Sequence, residues 1–434
     1  MLLPISDGIK LPIIPALDKT TLPGLCIFLA YLFLQRPIWR PRIGLVEILL
    51  GLYLLGPIVT SLLNNDPVVA GDRIIPGVGL YDAGSAVAFT LFTLMPFFVG
   101  RGLLNTESAH KQTLHVLAVA GAIYSIPLLF EIRFSPQLHA WVYGYYPSDF
   151  IQQMRDGGFR PMVFMGHGLI AATFLFLTIG AATALWRAKI RLGPLSSGAV
   201  SVYLGLVLIL CKSLGATIFM VLFAPLIGFA RPRLNALVAV CVVIIALSYP
   251  LLRFSGMIPT GQILELAKEI NPQRSASLRV RFDNEEALLN RALERPIFGW
   301  GRYGRSRIYA EWGQDVSITD GLWVITIGQF GIVGFVAEFG LLALAVIRGA
   351  AAYRHIPGYR DKIFLTSLAL LVAANIIDLI PNSSLLPMTW LFAGSLLGRA
   401  ERLGVRGKSE KSSNQSRSVK LGQTPLGRPL TKVV

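Results

Sequence analysis

Asp320 to Ala350 read DGLWVITIGQFGIVGFVAEFGLLALAVIRGA. Residues 320–347 form an apolar run whose interior holds a single charge, Glu338. About 20 such residues suffice for a helix to cross the hydrocarbon core of a bilayer. This run therefore assigns the chain to the membrane class. Working outward, about eleven apolar runs are long enough to span or nearly span a bilayer. They lie near 22–35, 43–63, 84–100, 113–131, 163–186, 195–211, 214–229, 235–251, 320–347, 363–380 and 384–398. The stretch 195–229 could also form one broken hairpin. Composition agrees: 53% of the 434 residues are hydrophobic, 15% are charged, and the mean hydropathy is +0.60. Such a chain is neither disordered nor an ordinary soluble domain. The expected fold class is an all-α integral membrane protein.

The net charge of +16 is unevenly distributed. Alternate short loops are basic: RPIWRPR at 36–42, Arg101 with Lys111, RAKIR at 187–191, RPR at 231–233, and Arg348 through Lys362. The short loops of the other set, 64–83 and 381–384, hold one basic residue, Arg73. The positive-inside bias makes the first set cytoplasmic and accounts for much of the charge without nucleic acid as a partner. Loops 132–162 and 252–319 then lie outside. Residues 1–398 form one polytopic membrane domain. Residues 399–434, with nine Lys or Arg, are expected to be a disordered cytoplasmic tail. Cys26, Cys211 and Cys241 lie in apolar segments, match no metal spacing, and are read as small apolar fillers. The N-terminus carries no cleavable-signal pattern.

Ionisable groups within membrane segments are costly. Glu47, Glu131, His167, Lys212, Glu338 and Asp378 qualify, and His167 and Lys212 fall at the outer ends of their segments. Loop 132–162 is rich in aromatics, Trp141, Tyr143, Tyr145, Tyr146 and Phe150, which suit an interface belt or the face of a sugar. The run PSDFIQQMRDGG at 147–158 predicts a short helix capped by Ser148 or Asp149 and ended by Gly157. Loop 252–319 predicts a helix over SASLRVRFDNEEALLNRALERP, with Arg281 and Glu285 as i,i+4 partners. Pro296 ends it. The next stretch, RPIFGWGRYGRSR at 295–307, combines four arginines with Gly299, Gly301 and Gly304. Guanidinium forks and free backbone N–H groups suit phosphate oxygens, so the set is read as an anion site. Asp320 is placed to cap the following helix or to act as a general base. No Walker loop, G-x-S-x-G, H-E-x-x-H or CxxC occurs, and GWGRYG lacks the βαβ context of a dinucleotide site.

The order of four segments resembles the bacterial O-antigen ligase and O-antigen polymerase family. They are FRPMVFMGHGLIAATF with Arg160, KSLGA at 212–216, SLRVRFDNEEALLNRALERPIFGWGRYG, and TDGLWVITIGQFGIVGF. The block from about 279 to 336 carries most of the resemblance. It implies a GT-C-like architecture in the bacterial inner membrane with a periplasmic active site. The implied chemistry is a metal-independent, inverting transfer of glycan from undecaprenyl pyrophosphate, without cofactor. Membrane lipid, a flippase and a chain-length regulator are the implied partners. Arg160 and Arg281 match the pyrophosphate-binding positions, and Asp320 would be the base. Arg279, Lys212, Arg302, His167, Trp300 and Tyr303 would bind substrate. Two departures stand out. Ligases carry a histidine where this chain has Thr319-Asp320-Gly321, which favours a polymerase of O-antigen or exopolysaccharide. Leu214 stands where many relatives have arginine. A ligase acting on lipid A-core is the alternative within the family. A lipid-linked glycan flippase or other transporter is the alternative outside it, but no inverted repeat or midplane charge path is apparent.

Overall fold

A computed structural model describes residues 8–18, 21–35, 44–155, 157–270 and 272–421, with side chains left out at 270, 273, 274 and 405–421. Fourteen α-helices are described. They are α1 (Leu22–Gln35), α2 (Leu45–Leu62), α3 (Leu80–Leu103), α4 (Glu107–Phe134), α5 (Leu138–Tyr143), α6 (Gly168–Arg187) and α7 (Ser197–Leu210). They continue with α8 (Leu214–Phe229), α9 (Pro232–Phe254), α10 (Thr260–Ile270), α11 (Pro272–Leu293), α12 (Leu322–Ala352), α13 (Tyr359–Asp378) and α14 (Pro387–Leu421). Three two-stranded antiparallel hairpins, at 68–75, 154–159 and 191–196, sit in the connections. The fold is all-α.

Each of the eleven apolar runs coincides with a helix. Six helices, α2, α3, α4, α6, α9 and α12, are long and apolar enough to cross a membrane, and α1, α7 and α8 are shorter apolar helices. The stretch 195–229 is a helical hairpin with its turn at Cys211–Ser213. All three cysteines are free. α6 and α13 are the most buried helices, with nearly every side chain from Ala171 to Leu185 and from Ile363 to Ile376 inside the core. α3 and α14 cross closely. A β-carbon at Gly394 would overlap the Phe97 carbonyl, and one at Gly398 the Arg101 carbonyl. Small residues four apart let two backbones approach, as in membrane helix pairs.

One end of the bundle carries the basic short loops and is tied by ion pairs. Arg101 bridges Glu47 at 2.9 Å and Glu401 at 2.7 Å, and Arg399 pairs with the buried Asp361. The other end carries the two long connections. α14 does not stop near 398 but continues to Leu421, so the first part of the expected disordered tail is helical; 422–434 lie outside the described residues. The last core-facing stretch of α14 gives a formed helix that its polar continuation can extend without a second nucleation step.

α12 is broken at Gly331, whose φ is +65°. The loop after α11 fills the break. Trp300 N–H donates to Gly328 O, Gly301 N–H to Gln329 O, Ile332 N–H to Pro296 O, and Val333 N–H to Ile297 O, all between 2.8 and 3.2 Å. The interrupted helix thereby recovers partners for backbone groups that could not remain bare in lipid. A β-carbon at Gly331 would overlap the Ile297 carbonyl, so only glycine fits. On the other side, Thr60 Oγ1 and Asn64 Nδ2 of the α2 end donate to Phe298 O and Gly299 O.

Candidate functional site

The long connections converge on one polar group. α4 ends at Phe134, and the chain returns through α5, a single 3-10 turn (Phe150–Gln153) and the hairpin 154–159 before α6 begins. The expected helix over 148–157 is thus only this turn. Asp149 does cap it, accepting from Ile151 N–H at 3.1 Å, but Gly157 takes φ +70° in the hairpin turn instead of ending a helix. The Asp-Gly pair at 156–157 is a hairpin signal that outweighs helix propensity here.

Glu131, fully buried near the end of α4, holds this connection in place. Its carboxylate accepts from the N–H groups of Met162, Val163 and Leu138 at 2.9, 2.7 and 3.1 Å. The expensive membrane carboxylate is therefore a clamp on the segment that follows Arg160. Arg160 is 6% exposed. Its Nη2 donates to Ser213 Oγ at 3.2 Å, and its Nε is buried without a hydrogen-bond partner. Ser213 comes from the α7–α8 turn. Beside it, Lys212, at φ +53°, donates from Nζ to Arg155 O at 3.1 Å. The KSLGA turn thus meets the Arg160 loop directly.

Arg281 and Asp320 form the third part. Arg281 projects from α11 and pairs through Nε with Asp320 Oδ2 at 3.2 Å, while its Nη1 donates to Pro381 O at 3.1 Å. The i,i+4 pair with Glu285 does not form. Glu285 faces α9 instead, pairing with Arg253 at 2.7 Å and accepting from Tyr249 Oη at 3.1 Å. The α9–α11 packing turns those two residues to different neighbours. Asp320 is not a cap either: Gly321 is the N-cap of α12 and makes no side-chain capping bond. Arg281 and Asp320 line a cavity of about 90 Å³ with Tyr249, Phe282 and Pro381.

His167 joins these parts. It caps α6, its Nδ1 accepting from Leu169 N–H at 3.1 Å, which leaves the proton on Nε2 in the neutral ring. Burial and then the Arg160 charge hold its pKa below the usual value, opposed by Asp320 and reinforced by Arg155 and Arg281. The imidazole is neutral at pH 7. Arg160 responds similarly: burial, then the charges of Arg155 and Arg281, pull its pKa down to about 10. These mutual effects place Arg155, Arg160, His167, Arg281 and Asp320 in one electrostatic neighbourhood. Asp378, hydrogen-bonded to Thr173 and Asn382, lies near enough to Arg281 to feel its charge.

Arg155, Gln153 and Ser213 were not singled out in the sequence. Gln153 O accepts from Arg160 N–H at 2.7 Å, and its buried Oε1 has no hydrogen-bond partner. The hairpin signal at 156–157 would have turned attention to Arg155. Other expectations need correction. Trp300 cannot stack on substrate, because it is buried between two guanidinium groups, Arg291 at 3.5 Å and Arg295 at 4.1 Å from the ring centroid, with its indole N–H on Arg291 O. The arginines of 295–307 are largely engaged. Arg295 makes a two-point contact with Asp66, at 3.1 and 2.6 Å. Fully buried Arg305 donates to Trp300 O and Pro76 O, and Arg307 pairs with Asp315. The glycine N–H groups at 299 and 301 are likewise bonded. The stretch is a structural splice, not an open anion loop. Arg302 lines a different cavity from Arg281, Tyr303 is exposed, and Arg279 is exposed on α11.

A cleft of about 500 Å³ borders the loop end of the bundle, walled by Phe164, Met165, Ile170 and Ser383–Pro387. It continues into an apolar groove of about 530 Å³ between α1, α3, α4 and α14, with Gly24, Pro96, Met165 and Pro387 common to both. No group of three or more His, Cys, Asp or Glu among the described residues is placed to hold a metal ion.

The architecture and this site define the class: a helical protein built from membrane-length apolar helices, with a cationic cluster at the end carrying its long connections. No family model matches the chain, and a search of curated proteins finds no match.

Proposed function

We propose that the protein is a membrane glycosyltransferase acting on a lipid-linked glycan at the outer face of the bacterial inner membrane. The reaction read here is polymerisation of O-antigen or exopolysaccharide from undecaprenyl-pyrophosphate-linked repeat units, in a GT-C-like bundle of about eleven spans. One observation carries the reading. Arg160 and His167 from one long connection and Arg281 and Asp320 from the other share one electrostatic neighbourhood, at the end of the bundle where a cleft walled by Phe164, Met165 and Ser383–Pro387 leads into an apolar groove along the helices.

The chemistry follows from the charges. The donor's isoprenoid chain occupies the groove and its pyrophosphate meets Arg160 and Arg281, with Arg155 and Lys212 alongside. Asp320 accepts the proton of the attacking sugar hydroxyl as the new C–O bond forms at the anomeric carbon. The bond from that carbon to pyrophosphate breaks, and the leaving group takes its electron pair and negative charge. Fixed guanidinium groups stabilise that charge where it develops. Arg281 is shared between Asp320 and the phosphate, so it orients the base and binds the leaving group. His167, neutral with a proton on Nε2, supplies a hydrogen-bond donor without adding charge.

The test is chain growth from purified lipid-linked repeat unit by the protein reconstituted in lipid. Loss of growth in Arg281→Ala and Asp320→Ala, at equal protein level, supports the assignment; unchanged growth in either sinks it for that residue. In cells lacking the protein, accumulated single lipid-linked repeats support a polymerase. Accumulated finished chains indicate a ligase, and translocation without growth indicates a transporter.

A further inference from the structure

The splice at Gly331 leaves one arginine of 295–307 without a protein partner for its charge. The Arg302 guanidinium lies 4.9 Å from the Phe89 ring centroid and 5.4 Å from that of Tyr303. Its Nη1 is buried and makes no hydrogen bond, and Arg302 makes no ion pair among the described residues. It lines a cavity of about 120 Å³ between α2, α3 and α12, with Tyr53, Thr90, Gln329, Phe330 and Glu338. Glu338 makes no ion pair with it. Its two oxygens accept from Tyr53 Oη and Thr326 Oγ1, each at 2.8 Å.

Phe89 lies nine residues into α3 from Leu80, which puts it about 13 Å from the loop end of that helix at the α-helical rise. Phe89 and Leu52 at the cavity are exposed on the apolar flank of the bundle. A cation at such depth is expensive and marks a place for an anion. The volume is well below the ~300 Å³ of an ordinary small-molecule pocket, so it suits a headgroup and not a whole ligand. The first turns of α12 separate this cavity from the Arg281 cavity. Gly321 and Val324 line the Arg281 side, whereas Leu322, Ile325 and Gln329 line the Arg302 side.

We infer that the Arg302 cavity is a second anion site, which holds the phosphate headgroup of the acceptor lipid while the Arg160–Arg281 group holds that of the donor. The acceptor chain lies against α2 and α3, with its glycan reaching over α12 toward Asp320. The inference rests on the transferase reading, because only an enzyme joining two lipid-linked substrates needs two such sites at once.

The test is native mass spectrometry of the full-length protein in phosphatidylcholine nanodiscs with farnesyl pyrophosphate as probe. The wild type is expected to take up two molecules of probe. Arg302→Gln is expected to lose one, Arg281→Gln the other, and the double variant both. Inorganic pyrophosphate, which lacks the chain, is expected not to fill the Arg302 site at the same concentration. Melting curves check that each variant is folded. If Arg302→Gln is unstable, Gln329→Glu, which sets a carboxylate in the Arg302 cavity with side-chain shape unchanged, must abolish the second binding event and leave the first. Uptake unchanged in the folded Arg302 variant overturns the inference and leaves the donor site intact. Displacement of the probe at Arg302 by phosphatidylglycerol also overturns it, because the occupant is then a structural phospholipid. Loss of one molecule in Arg302→Gln but none in Arg281→Gln supports this site and removes the donor reading instead.

Discussion

Two arginine-rich regions sit at the same end of this protein and behave oppositely. In the 295–307 stretch, Arg295, Arg305 and Arg307 are answered by Asp66, by the Trp300 and Pro76 carbonyls, and by Asp315. In the other region, Arg155 and Arg281 both press on the charge of Arg160, whose buried Nε has no hydrogen-bond partner and no carboxylate opposite it among the described residues; the buried Nη2 of Arg305 also makes no hydrogen bond, but it faces Asp66 at 3.7 Å. Residue type and location do not separate the two. What separates Arg160 from Arg305 is whether the fold sets a carboxylate opposite the charge it buries. A buried guanidinium with a counter-charge is structure, and one without is available to a ligand anion.

The comparison breaks most visibly at the second region. Arg281→Ala and Asp320→Ala are each expected to lower chain growth by about a hundredfold or more, with a melting temperature near that of the wild type. Measuring both quantities on the same preparation decides the matter, since a parallel loss of stability would return Arg281 to the structural class. At the first region the pattern should invert. Gly331→Ala forces a β-carbon into the Ile297 carbonyl at positive φ, and is expected to destabilise by roughly 3 kcal/mol or more. Loss of folded protein in a thermal-melt series would show it. Arg305→Met strips hydrogen bonds from two carbonyls and is expected to cost about 2 kcal/mol, with specific activity per folded molecule unchanged. A large fall in specific activity would make the splice part of the site.

The smallest effect is one of pH. Because His167 has its folded pKa below the ordinary 6.5, the folded state disfavours the proton. Its contribution to stability is full above about 6.5 and is lost as pH falls toward the folded value. The melting temperature should drop more between pH 7 and 5 in the wild type than in His167→Asn. That variant keeps an acceptor for Leu169 N–H but cannot titrate. Equal pH slopes in the two proteins would remove His167 from the charged group.

Much of the fold was legible because it is written in long one-dimensional patterns. Eleven apolar runs became eleven helices, and the break at 211–213 was marked by Lys212-Ser213 between apolar stretches. The candidate site was legible only in parts. Arg160, Lys212, Arg281 and Asp320 were visible as polar residues at the ends of apolar runs. Arg155 carried no such signal, because a hairpin brought it in, and Ser213 was visible only as part of the break, not as a partner of Arg160. The misreadings share a cause. Arg281 and Glu285 have ideal helical spacing, yet α9 offered Glu285 a better partner in Arg253. Trp300 and its arginines looked like a surface for sugar and phosphate until the neighbouring Asp66 and the broken α12 enclosed them.

By itself the sequence determined that the chain forms apolar helices, which connections are long, and where basic residues gather, because hydropathy and charge act residue by residue along the chain. Only the tertiary structure decided which arginines are saturated. For Arg295 and Arg305 that depends on acceptors brought from the connection after α2, more than two hundred residues away for Asp66 and Pro76, and no local pattern encodes it.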